Sequence, residues 1–70
     1  MTDKTSKKIA QKLKQVRLQN GMSQAGLAEK AGINSNYYAK IERSEINPSV
    51  EILEKIIKAL GVKSSDIFPF

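Results

Sequence analysis

Apolar positions recur along the chain at helical spacing, in short sets separated by Gly, Asn and Ser breaks, a pattern that predicts helices and no strands. Ile9, Leu13 and Val16 share one face of a first helix over residues 6–19, with the lysines mostly on the other face. Asn20-Gly21 stops it, and Met22 is placed to pack as a staple before the next helix. Ser23 caps a second helix over residues 24–31, with Leu27, Ala28 and Ala31 inward; Gly32 ends it by entering the left-handed region without steric cost. Asn34 caps a third helix over residues 35–43, with Tyr38 and Ile41 inward. Pro48 keeps Asn47 out of helical geometry, and Ser49 opens a fourth helix. Val50, Ile52, Leu53, Ile56, Ile57 and Leu60 make that fourth helix the most buried, and Gly61 closes it. A last turn from Ser64 or Ser65 leads into Ile67-Phe68-Pro69-Phe70. The expected fold is all-α with five helices, one domain over residues 6–70 behind a flexible arm at residues 1–5, which has no apolar anchor beyond Met1.

Gly26 conflicts with its surroundings. A capping box begun by Ser23 asks for Glu or Gln there, and glycine in a helix costs about 0.5–1 kcal/mol relative to alanine. The local reading is a tolerated weak spot on an exposed face.

The second and third helices are joined too tightly to lie antiparallel with ordinary packing, so a steep crossing is expected. That is the helix-turn-helix arrangement, in which the second helix of the pair enters the DNA major groove. The bland alternative is a helical hairpin with a solvated polar face.

Charge favours the first reading. The 70 residues carry a net charge of +5, and Lys4, Lys7, Lys8, Lys12, Lys14 and Arg17 against Asp3 place nearly all of the excess in the first third. From Ser44 onward Glu45, Glu51, Glu54 and Asp66 slightly outnumber Lys55, Lys58 and Lys63, so one end of the molecule is suited to a polyanion and the other is not. A chain this short has a small core, and with no Cys and no His it has neither disulfides nor the usual metal ligands to staple it. Compact helix packing, with dimerisation, is what remains. No cofactor, metal or small-molecule ligand is expected. No apolar run approaches the ~20 residues of a membrane span, which points to a cytoplasmic protein. Catalysis is not expected: there is no His or Cys, no Gly-rich phosphate loop after a strand, and the carboxylates are scattered.

Taken together, Leu13, Val16, Arg17, Gly21-Met22-Ser23-Gln24, Leu27-Ala28, Ala31-Gly32-Ile33, Tyr38, Ile41-Glu42-Arg43, Asn47-Pro48-Ser49, Leu53 and Ala59-Leu60-Gly61-Val62 resemble the Cro/repressor-type (XRE-type) helix-turn-helix DNA-binding family, in order and without gaps. The resemblance implies a reading unit made by helices 2 and 3 and a homodimer on a pseudo-palindromic duplex. It also implies roles for individual residues. Gln24, at the positive start of helix 2, would meet a phosphate. Asn34, Ser35 and Asn36 would open helix 3 into the major groove, with Asn36 the best candidate for direct readout because an amide pairs bidentately with adenine. Tyr37 would reach a phosphate or a thymine methyl, and Lys40 a phosphate or guanine edge. Arg43 and Ser44 would enter a loop beside the DNA backbone. Arg17 and Glu42 match residues that pair in the family as a partly buried bridge.

Three positions depart from the pattern. Ser44 replaces a usual glycine, and Glu45 and Ile46 stand where basic residues are common, so the loop is expected to contribute little affinity. Lys7 and Lys8 are the candidates to supply the missing charge. Ile67, Phe68 and Phe70 are hard to cover in so small a monomer and are assigned to a dimer interface. The competing reading is a protein-interaction module, antitoxin-like, that keeps this fold with weak or no DNA binding.

Overall fold

A computed structural model of the chain describes residues 4–68, a unit of about 26 × 23 × 20 Å. Four α-helices follow one another: α1 (Lys4–Gln19), α2 (Gln24–Ala31), α3 (Ser35–Glu42) and α4 (Val50–Leu60). The expected fifth helix is a single 3-10 turn, Ser64–Asp66. Three residues are too few for an α-helical hydrogen-bond ladder, which corrects the count to four. α1 begins at Lys4, so Lys4 and Thr5 are helical where an arm was expected, and residues 1–3 lie outside the described part.

The N-caps work as local chemistry dictates. Ser23 Oγ accepts from the Gly26 amide at 2.9 Å, Asn34 Oδ1 from the Asn36 and Tyr37 amides at 2.8 and 3.1 Å, and Ser49 Oγ from the Ile52 amide at 3.2 Å. Gly26 also finds its reason: a Cβ there would stand 3.0 Å from Ser23 Oγ, closer than such contacts ordinarily come. Glycine thus permits the tight cap, which offsets its poor helix propensity.

The chain leaves α2 by a left-handed residue, Gly32 (φ +73°), with the Ile33 amide reaching back to Ala28 O at 2.9 Å. The same hydrogen-bond pattern ends α3, where Ser44 and Glu45 donate to Ile41 O and Lys40 O at 3.0 and 2.9 Å. There the left-handed position is held by Ser44 (φ +61°), the only non-glycine with positive φ among the described residues. A side chain in that region costs about 1–2 kcal/mol.

α2 bridges the molecule, packing on both α3 and α4, while α1 packs on α3. Leu13, Leu27, Ala28, Tyr38 and Ile56 are fully buried at the centre. α4 contributes Leu53, Ile56, Ile57, Ala59 and Leu60, but its first residue, Val50, is 71% exposed. Ile67, assigned above to a dimer interface, is 2% exposed and belongs to the chain's own core. That assignment is therefore corrected: the C-terminal turn folds Ile67 under the molecule and leaves Phe68 half-buried, and Phe70 lies outside the described residues.

Candidate nucleic-acid interface

α3 presents two unlike faces. Tyr38 and Ile41 point inward at 0% and 1% exposure, whereas Asn34, Ser35, Asn36 and Lys40 are exposed and Tyr37 is half-buried. The polar residues gather at the helix start because Asn34 caps it there, and their backbone amides add the positive end of the helix dipole. Asn34 Oδ1 is committed to that cap by two amides.

The other end of α3 is clamped. Glu42 takes a bidentate contact from Arg17, Nε to Oε2 at 2.7 Å and Nη2 to Oε1 at 3.1 Å. Gln24 Nε2 donates to Oε1 at 3.1 Å, and the Tyr38 hydroxyl donates to Oε2. Arg17 also donates through Nη1 to Met22 O at 2.7 Å, so one guanidinium joins α1, the turn before α2 and the end of α3. The side chains of Arg17 and Glu42 are 8% and 2% exposed, and among the described residues no buried side-chain polar atom lacks a partner. A bidentate pair this well enclosed fixes distance and tilt together.

The electrostatics of the cluster are internally consistent. Burial pushes the Glu42 carboxyl up, but hydrogen bonds from Arg17, Tyr38 and Gln24, with Arg17's charge, outweigh it and hold the group below the usual carboxylate range. Burial, then the hydrogen bond to Glu42, drives the Tyr38 hydroxyl far above the normal phenol range. The hydrogen bond to Glu42 raises Arg17 further. At neutral pH the charged carboxylate, the charged guanidinium and the neutral phenol coexist.

Sequence spacing did not reveal that Gln24 and Tyr38 converge on Glu42. They lie 18 and 4 positions away, and only Tyr38 shares its helix. The structure brings together Gln24, Arg17, Tyr38 and Glu42 as one unit, and Asn34, Ser35, Asn36, Tyr37 and Lys40 as another. Arg43 and Ser44 stand apart in the following loop, where Arg43 Nε donates to Glu45 Oε2 at 2.5 Å with both side chains about half-exposed. That contact raises Arg43 and lowers Glu45.

The helix-turn-helix family model matches residues 13–67, and the chain belongs to that family, in its XRE-type branch. Over its full length it is 39% identical to control protein C.BamHI of Bacillus amyloliquefaciens, spanning 88% of that protein. It is also 46% identical over 55 residues to the transcriptional regulator SinR of Bacillus subtilis, and 41% identical over 59 residues to the immunity repressor of Bacillus phage phi105. Those matches take in 77% and 84% of this chain but only 50% and 41% of the two relatives. Among solved structures, the restriction-modification controller C.AhdI of Aeromonas hydrophila superposes with a TM-score of 0.87 at 30% identity, over 90% of this chain and 96% of that one. The controller C.Esp1396I, as a tetramer in complex with its natural 35 base-pair operator, superposes equally well at 33% identity, over 91% of this chain and 84% of that one. These relatives are transcription regulators. Among the described residues no helix is long and apolar enough to cross a membrane, and no acidic cluster suited to a metal occurs.

Proposed function

We propose that this chain is a sequence-specific DNA-binding transcriptional regulator that seats the start of α3 in the major groove and binds a pseudo-palindromic operator as a dimer. The observation that carries the reading is the division of α3. Its first turn offers Asn34, Ser35, Asn36 and Tyr37 to the outside, while its last residue is gripped by the Arg17 guanidinium. A reading helix needs both, since base contacts discriminate only when the helix cannot shift under load.

In this reading Asn36 and Ser35 meet base edges, and Tyr37, Lys40, Arg43 and Ser44 meet phosphate or the groove wall. Gln24 acts at the start of α2, steadied by its bond to Glu42. Phosphate contacts supply most of the affinity. The controller protein that superposes here is itself bound to an operator, and this supports the same use of the fold.

For dimerisation the surface best suited is the apolar side of α4 together with Phe68, which keeps that residue of the sequence assignment and leaves Ile67 in the core. Val50, Leu53, Ile57 and Phe68 line a hollow of about 280 Å³, with Glu54 and Lys58 on its edge. An antiparallel two-fold pair would set Glu54 of each copy against Lys58 of the other.

Selecting bound duplexes from a random pool tests the whole reading. The expected result is an inverted repeat with half-sites about 34 Å apart, one helical turn. Recovery of no common sequence, together with no shift of random duplex at low salt, would favour the interaction-module alternative.

A further inference from the structure

The lysines of α1 do not form one patch. At about 100° per residue, Lys4, Lys8 and Lys12 follow one another along a single stripe, and Lys8 stands roughly 180° from Arg17. Arg17 faces α3, so this stripe lies on the far flank of α1. There Lys8 and Lys12 edge a groove of about 800 Å³ whose floor includes Val16, Val62 and Phe68. No residue of α2 or α3 lines it. Asp66 is the only acid on its walls, and its Oδ2 is engaged by the Lys63 amide at 3.0 Å.

Those features do not suit a duplex. Phosphates gain nothing from the valine and phenylalanine floor and would have to leave the face where α3 opens. They do suit a helix with a narrow apolar seam between carboxylates. Gln11, Gln15 and Gln19 run alongside at the same four-residue spacing and add neutral donors for such a partner. We infer that the groove between α1 and the C-terminal turn is a second docking surface, for an acidic amphipathic helix of another protein, used independently of α3. It would let the regulator hold DNA on one face and a protein on the other, and it does not rest on the operator reading.

The test uses a fluorescent 16-residue helical peptide, leucines on one seam and glutamates beside it, titrated into the intact chain. Wild-type protein is expected to bind it, with affinity falling as salt rises, and Lys8→Glu/Lys12→Glu to bind about tenfold more weakly. The groove placement takes Lys8 out of the phosphate-contact role expected from sequence, so the neutral Lys8→Gln/Lys12→Gln should retain random-duplex binding to within about twofold, whereas Lys40→Ala should not. Exposed helix positions make misfolding a small risk, and an unchanged circular dichroism spectrum checks it. Four results would overturn the inference: no peptide binding by wild type, binding indifferent to the charge reversal, a loss of duplex binding matching that of Lys40→Ala, or conversion of a dimer to a monomer in sedimentation. The third would make the stripe part of the DNA surface, and the fourth an interface between copies.

Discussion

The two ends of α3 teach different lessons. At its start three polar side chains are open to solvent, and beyond the cap each is replaceable without cost to the fold. At its end a carboxylate is enclosed by donors from α1, α2 and α3 itself, so almost any replacement is felt. The eight residues of α3 thus hold both an open reading edge and a fixed anchor. The separation lets sequence preference change while the helix keeps its place.

The comparison breaks most visibly at the anchor. Glu42→Ala should cost about 3–5 kcal/mol, because it leaves the Arg17 charge enclosed without its partner. Arg17→Met combined with Glu42→Leu should cost clearly less than either single change, since nothing charged is then stranded. Urea denaturation of the three variants measures this. A double variant as unstable as the sum of the singles would mean the pair acts only through packing.

Tyr38→Phe is the next largest, about 1.5–3 kcal/mol, the usual range for a hydrogen bond to a charged group. Its pH dependence identifies it. In the unfolded chain the phenol ionises near pH 10, roughly the free value. The fold holds it protonated, by burial first and then by Glu42, so its contribution is intact below pH 10 and is lost as pH rises above that. The Glu42 carboxyl runs the other way: held low in the fold, it stabilises above roughly pH 4.3 and loses that contribution as pH falls further. Stability of wild type should therefore slope down at both extremes; Tyr38→Phe should flatten the alkaline slope and, by removing one of the donors that hold Glu42 low, also lessen the acidic one.

Much of this was written in the sequence, for reasons that are local. Ser23, Asn34 and Ser49 cap amides two or three residues away, so their roles follow from position alone. Gly32 likewise announces its turn. The convergence of Gln24 and Tyr38 on Glu42 carries no such signal, because it depends on how α2 and α3 are set against each other. The Arg17–Glu42 pair spans 25 positions and was suggested only by resemblance. Ile67 and Val50 show a further limit. An apolar residue in a pattern asks to be covered without saying by what, so Ile67 went to the core while Val50 stayed outside.

At the reading edge, Asn36→Ala should leave the urea midpoint unchanged and reduce discrimination at one base position by about 1–3 kcal/mol. Competition between the selected operator and its single-base variants measures it. A drop in stability instead would place Asn36 with the anchor.

Ser44→Gly should stabilise the fold by about 1 kcal/mol, because glycine adopts the left-handed conformation that serine holds under strain. The gain is partly offset by the greater freedom of glycine in the unfolded chain. A thermal midpoint that falls would mean the Ser44 side chain contributes more than its backbone costs.

The smallest effect is the most informative about the loop. Arg43 and Glu45 are both well exposed, so their contact adds little stability and is readily exchanged for another partner. A phosphate offers Arg43 a bidentate partner with more charge, where Glu45 gives a single contact, and Glu45 competes for it while repelling the duplex. Glu45→Gln should therefore strengthen duplex binding and steepen its dependence on salt by about one counterion, with the urea midpoint unchanged. Arg43→Ala in the same background should return the slope to that of wild type. If Glu45→Gln leaves the slope where it was, Arg43 does not reach the backbone, and the contacts of this loop must be assigned to Lys40 and the amides of α3 instead.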